Sequence, residues 1–260
     1  MEMSPDQPAD PVAADETMPT QYMDELQDSL SRLSKLATGL LPLEDSLTRV
    51  AEYAVRAIPG AEGAGLTLLE ENRSDTIVST ADFVARIDDI QYSLGQGPCV
   101  SAVANRQIVL SGSLGGDRRW PQFGSRVARL GVHSVVSLPL ITDEGVVGAM
   151  NVYAHDKNAF TADAGRLGEL FAVPAAIAVQ NAQVLAQTKR LASQLQAALS
   201  SRGVIERALG IMMSRSGGTE AEALDRLRTL SQNQHEKLPV VAQSIVQEAV
   251  RRARARRTDR

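Results

Sequence analysis

The sequence predicts two folded units in one chain. The first is an α+β unit, an antiparallel sheet flanked by helices. It is followed by a coiled-coil-like helix and an all-α bundle of three helices. Three observations carry this reading. The hydrophobic period changes from helical to alternating after Gly60 and returns to helical after Thr161. Three amphipathic stripes follow one another between Arg202 and Val246, separated by short breaks. Charge is split as well: residues 1–188 hold 13 Lys and Arg against 24 Asp and Glu, whereas residues 189–260 hold 14 against 7.

Composition sets the bounds. With 260 residues and 43% hydrophobic content, the chain can bury two small cores. One cysteine leaves no disulfide framework. No signal-peptide pattern and no uninterrupted apolar run of bilayer length is apparent, so a cytoplasmic location without a membrane is expected. Aromatics are only 3%, too few for the aromatic stacking platforms of many RNA-binding modules.

Residues 1–21, with Pro5, Pro8, Pro11 and Pro19 among several acids, are expected to be a disordered tail. Leu26, Leu30, Leu33 and Leu36 then form a helical stripe. Leu47, Val50, Ala51, Ala54 and Val55 form a second, closed by Pro59-Gly60. Ala64–Leu69 and Thr76–Ser79 read as strands around a polar turn. Ser134–Ile141 and Val146–Tyr153 are β-branched or apolar runs joined by Asp143-Glu144-Gly145, a hairpin signal. A helix opened by Thr161 follows, with Pro174 implying a kink.

Between these elements lie Gly95-Gln96-Gly97-Pro98-Cys99, Asp117, Arg119-Trp120-Pro121, Phe123, Gly131, Ser134, Pro139-Leu140, Gly148, Asn151 and Phe160-Thr161. At these spacings, over about residues 40–185, the chain resembles a GAF domain. The resemblance implies a sheet of five or six antiparallel strands and a small-molecule sensing role, with residues 22–185 forming the sensor and its leading helix. It places a ligand between the sheet and the loops over it, at the 95–99 turn and the 111–120 loop. Gly97, Cys99 and Trp120 are the candidate pocket residues. The ligand itself is not legible. Cys99 allows two readings, a structural thiol or a redox-sensitive one at a helix N-terminus. His133 reads as a strand histidine. His133, His155 and His235 lack metal-ligand spacing, and no nucleophile–base or phosphate-loop pattern is present. No metal, cofactor or catalytic residue is therefore expected, and no enzyme.

Ile177, Val184, Leu191, Ala198 and Ile205 recur once per heptad, with Gln180, Gln187 and Gln194 between them. This is a weak coiled-coil seam, apolar at one core position and polar at the other. It predicts one continuous helix into the C-terminal module, with residues 186–200 as a signalling helix. It also predicts a parallel homodimer, held by the seam and by the helix around Leu26–Leu36.

In residues 201–250, Ile205, Ala208, Leu209, Met212 and Met213 give the first stripe. Gly217-Gly218 stops it, and Thr219 with Glu222 reads as a capping box. Ala223, Leu224, Leu227 and Leu230 give the second stripe. Asn233–Glu236 reads as a connection, and Leu238, Val241, Ala242, Ile245 and Val246 give the third. The pattern Arg202, Ile205, Ala208, Gly210, Ile211, Met213, then Glu222, Ala223, Leu227, Arg228, then Asn233, Lys237, Leu238, Val241, Ala242 resembles the ANTAR domain of bacterial antitermination regulators. Two positions depart from that family: Leu209 stands where Lys is frequent, and Pro239 where a polar residue is frequent. The resemblance implies binding to hairpins in nascent RNA. Arg202, Arg207, Arg215, Arg228 and Lys237 are the candidate cationic contacts, and Ala208 and Gly210 would allow close backbone approach. Residues 251–260 read as a flexible arginine-rich tail adding non-specific attraction. The competing reading is a ligand-sensing dimer whose helical tail binds a protein partner or DNA. DNA is disfavoured because Gln232, Asn233 and Gln234 are expected in a connection and not on a helix.

Overall fold

A computed structural model describes residues 19–37, 41–70 and 73–258. The chain divides into two compact units, residues 1–186 and 187–260. The expected tail falls, up to residue 18, outside the described residues.

The first unit opens with α1 (Thr20–Ala37) and α2 (Leu43–Ala57). Next come β1 (Gly63–Glu70), β2 (Arg73–Ser79), α3 (Asp82–Leu94), α4 (Pro98–Asn105) and β3 (Val109–Ser111). After a 3-10 turn at Leu114–Gly116 come α5 (Pro121–Ala128), β4 (Ser134–Thr142) and β5 (Gly145–Ala154). The sheet has five strands in the order β2-β1-β5-β4-β3, all antiparallel. Both expected hairpins are present. The helices α3 and α4 and the short strand β3 went unread in the sequence. Both α4 and β3 are too brief for periodicity to separate them from loop, whereas α3, with 13 residues, carries Val84, Ile87 and Leu94 at helical spacing.

Alternation divides the sheet into two faces. Leu66 and Leu68 of β1, Val136, Leu138 and Leu140 of β4, and Met150 and Val152 of β5 pack with α1, α2 and the start of α6 in one apolar core. Val135 and Tyr153 point the other way, into a second cluster with Ile87, Ala102, Trp120, Phe123 and Val127. Leu26 and Leu33 of α1 are fully buried in the first core. The Leu26–Leu36 stripe is therefore spent on α2 within the same chain. This corrects its expected part in a dimer.

Helix α6 runs from Ala162 to Ser216, through Pro174, and so contributes to both units. The expected single helix is observed. By length and composition it contains a stretch apolar enough to cross a membrane. Its apolarity has a local cause. Leu167, Phe171, Ala175 and Val179 are buried in the first core, while Leu170, Val173, Ile177, Val184 and Leu191 form a second, exposed stripe. Val184 and Leu191 are each more than half exposed, at 54% and 57%. Two sides of one helix are apolar for two reasons.

The second unit packs the end of α6 with α7 (Glu220–Gln234) and α8 (Leu238–Thr258). Gly217 ends α6 in the left-handed conformation, its N–H donating to the Met213 carbonyl. The capping box forms as read: Thr219 N–H donates to Glu222 Oε2 (3.0 Å), and Glu222 N–H donates to Thr219 Oγ1 (3.4 Å). Two sequence expectations are corrected here. Gln232–Gln234 lie in the last turn of α7, and the connection shrinks to His235–Lys237. The arginine-rich end is helical to Thr258, continuing α8. Ala and Arg are strong helix formers, and Arg251 and Arg252 pair with Glu248 one turn back.

Candidate functional site

On the second face of the sheet, β1 and β5 present small and polar residues at alternate positions. Gly65 pairs with Asn151, and Thr67 with Ala149. A Cβ at residue 65 would collide with Asp88 Oδ2. Glycine there lets the wholly buried Asp88 of α3 approach the sheet. Asp88 Oδ1 accepts from Asn151 Nδ2 (3.0 Å) and from the Tyr153 hydroxyl (2.7 Å), and Ser137 Oγ donates to Asn151 Oδ1 (2.7 Å). Buried polar groups of this kind require partners, and three elements, α3, β4 and β5, are tied together by this set.

Beside the network is a cavity of about 210 Å³. Leu69, Val100, Val103, Ala104 and Ala149 make it apolar, and Thr67, Tyr92 and Cys99 supply its polar atoms. The Tyr92 hydroxyl donates to Thr67 Oγ1 (2.6 Å) and lies 3.3 Å from Cys99 Sγ. Burial pushes the Cys99 thiol up to about 12, and the Asp88 charge adds to this. Burial also raises the Tyr92 phenol. Cys99 is 2% exposed, so the thiol is neutral and enclosed, the structural reading of the two. Gln91 caps α4: its Oε1 accepts from Cys99 N–H (2.9 Å), and only a residue without Cβ at position 97 leaves it room.

Of the expected pocket residues, Cys99 lines the cavity, whereas Gly97 and Trp120 do not. Gly97 serves the α4 cap. Trp120 is buried in the second cluster, with Nε1 donating to Ser101 Oγ (2.9 Å) and Arg119 lying over its ring at 4.2 Å. The 111–120 loop is a clamp. Asp117 accepts from Arg119 and from Ser111 Oγ (2.7 Å), and chiefly Arg119 holds its carboxyl down at about 2. His133 precedes β4, with its main chain bonded to Ala154 and Leu114. Its Nδ1 is buried without a hydrogen-bond partner among the described residues, and nothing in the structure explains this.

In the second unit, Ala208, Leu209, Ala223, Leu227, Val241 and Ala242 form the core. Ala208 is fully buried, so its small side chain serves helix–helix approach and not RNA contact, which corrects its place among the contact candidates. Leu209 is 5% exposed, so the position where Lys is frequent faces the core here. On the opposite side of α6, Gly203, Arg207, Gly210 and Ser214 recur at i, i+4, i+7 and i+11 and share one face. A Cβ at either glycine would meet nothing within 4 Å. Arg202, Arg207, Arg215, Arg228 and Lys237 are all exposed. Arg202 pairs with Glu206 (2.9 Å) and Arg228 with Asp225 (3.5 Å). Exposed pairs of this kind are worth little, so a phosphate can displace them.

Residues 41–180 match the family model described as GAF domain, and residues 193–246 match that described as ANTAR domain. The chain belongs to the GAF family. Its architecture is that of a GAF–ANTAR protein. Among solved structures, the GAF domain of an Acinetobacter phosphoenolpyruvate-protein phosphotransferase is 15% identical, with 66% of this chain and 99% of that one covered at a TM-score of 0.48. The reduced form of fRMsr from Staphylococcus aureus is also 15% identical, with 63% and 96% covered at 0.48. The chromophore-binding domain of the bacteriophytochrome RpBphP3 from R. palustris is 11% identical, with 65% and 63% covered at 0.47. No curated protein matches the chain. GAF domains sense signals and ANTAR domains bind RNA in antitermination; both are regulatory domains, typically soluble.

Sequence reading did not find Thr67, Tyr92 and Asp88. A usable signal was present. Gly63, Gly65 and Thr67 alternate with Leu66 and Leu68, and Ala149, Asn151 and Tyr153 alternate with Met150 and Val152. This marks one face as small and polar while the other is core. Helix α3, which brings Asp88 and Tyr92 to that face, carries a helical stripe in Val84, Ile87 and Leu94, but nothing in that stripe says which strands it covers.

Proposed function

We propose that this GAF–ANTAR protein is a one-component, cytoplasmic regulator of transcription antitermination. The GAF cavity receives a small-molecule signal, and the ANTAR helices bind hairpins of a nascent transcript and prevent terminator formation. The observation that carries the RNA half is the outer face of α6. Two open glycines flank Arg207, on a module whose other candidate cations are also exposed. Phosphates need cations, and splayed bases need a surface that a backbone can approach closely. The helical arginines at the end of α8 add attraction that does not depend on sequence. The exposed stripe at Leu170, Val173, Ile177, Val184 and Leu191 supports a parallel homodimer through α6, so that paired hairpins can each meet one module.

The DNA alternative loses its earlier objection, since Gln232–Gln234 are helical, but meets another. The turn of three residues between α7 and α8 suits a helix-turn-helix. Yet α8 begins Leu238-Pro239-Val240-Val241, without base-reading side chains, where a recognition helix would need them. Titration of the full chain with RNA stem-loops and matched duplex DNA tests the proposal. RNA is expected to bind more tightly, with affinity falling steeply as salt rises. Equal binding at physiological salt would overturn it.

A further inference from the structure

The walls of the GAF cavity restrict what can occupy it. We propose that it takes a small, uncharged, mostly apolar molecule of roughly ten non-hydrogen atoms carrying one hydrogen-bond acceptor, engaged by the Thr67 hydroxyl. This rests on the reading of the GAF domain as the signal receiver.

Size comes first. A cavity of about 210 Å³ lies below the range typical of drug-sized ligands and above that of an engineered apolar cavity able to hold benzene. A tetrapyrrole does not fit that space. Charge comes second. Among the described residues, no Arg, Lys, His, Asp or Glu lines the cavity. The start of α4 is a poor anion site, because Pro98 has no N–H and the Cys99 N–H is already given to Gln91, which leaves the Val100 N–H of the first turn to meet a phosphate. A cyclic nucleotide would bury its phosphate unpaired, which is costly. The neutral thiol of Cys99 adds no charge either.

Hydrogen bonding comes third. Tyr92 gives its hydroxyl hydrogen to Thr67, and its oxygen lies 3.3 Å from Cys99 Sγ. Thr67 is 1% exposed and accepts from Tyr92, and its own hydroxyl hydrogen has no acceptor among the described residues. A carbonyl or ether oxygen of the occupant supplies that acceptor, while the five apolar residues take the remainder. Ala104, exposed, lies at the mouth.

Calorimetry and saturation-transfer NMR on the full chain test this with acetophenone, ethylbenzene and cyclic GMP. Acetophenone is expected to bind, and ethylbenzene roughly three- to tenfold more weakly. Thr67→Val should erase that preference and Thr67→Ser restore it. Ala104→Trp, a surface change that leaves the core intact, should block both compounds. The assignment is overturned if acetophenone fails to bind at about 1 mM, if Ala104→Trp leaves its binding unchanged, or if cyclic GMP binds in a manner that Ala104→Trp abolishes. The last result would keep the GAF domain as a receiver and reject only the ligand class. Acetophenone binding as expected, with RNA affinity unmoved by it, would keep the ligand class and reject the receiver reading.

Discussion

The two units bury their cores in different ways. The GAF domain packs large side chains, among them Tyr153, Phe123 and Phe171, on both faces of a sheet, and on one face it encloses a polar network. The ANTAR domain closes three helices around Ala208, Leu209, Ala223, Leu227, Val241 and Ala242, three of which are alanines. The large core has enough apolar area to bury Asp88, Asn151 and Ser137 at no loss of fold. Among the described residues, the small one keeps its charges outside. On the proposed function, sensing chemistry sits inside one unit and recognition chemistry on the surface of the other.

The sharpest way to break this contrast is to cut each core once. Leu227→Ala and Leu138→Ala each remove a fully buried leucine and should cost about 2–5 kcal/mol. In the ANTAR domain that loss should unfold the module and abolish RNA binding, while the GAF domain persists. In the GAF domain the transition should shift but survive. Circular dichroism melts of the full chain check this; a cooperative RNA-binding module after Leu227→Ala would refute it.

The next effect concerns the buried network. Asp88→Ala removes the acceptor of Asn151 and Tyr153, leaving two buried donors unpaired at about 1–3 kcal/mol each. Urea titration should place the loss in the GAF transition alone.

On the recognition side, Arg207→Ala should lower RNA affinity several-fold and flatten its salt dependence, with the melting curve unchanged, because the side chain is exposed. A change in the melt would mean that this face is structural.

The smallest effects are in pH. The Cys99 pKa is raised to about 12 in the fold, so the unfolded chain ionises first. The Cys99 contribution should be level below about 8.5 and be lost as pH rises from there towards 12; Cys99→Ala should remove the onset near 8.5 and leave the later fall above about 10 from Tyr92 and Tyr153, whose phenols burial also raises. The Asp117 carboxyl is lowered to about 2. Its contribution is present above about 3.9 and is lost as pH falls towards 2. Asp117→Asn should flatten the acid limb of the denaturation midpoint, and an unaltered limb would show that Arg119 does not hold the loop.

Periodicity, punctuation and charge were enough to divide the chain. Alternation revealed the hairpins, because a strand between core and cover must repeat every two residues. The Gly217-Gly218 stop and the Thr219–Glu222 box revealed a helix boundary, because these interactions span only three or four residues. The continuous α6 was legible from its heptads. The tertiary structure alone decided which residues share a site. Thr67, Tyr92 and Cys99 come from a strand and two short helices, and no local pattern links them. It also decided that Ala208 and Leu209 face inward, since helical spacing shows that residues share a side but not which side is covered. The Leu26–Leu36 stripe makes the same point: the sequence determined that it needs a partner, and packing chose α2 of the same chain because that surface was tethered beside it.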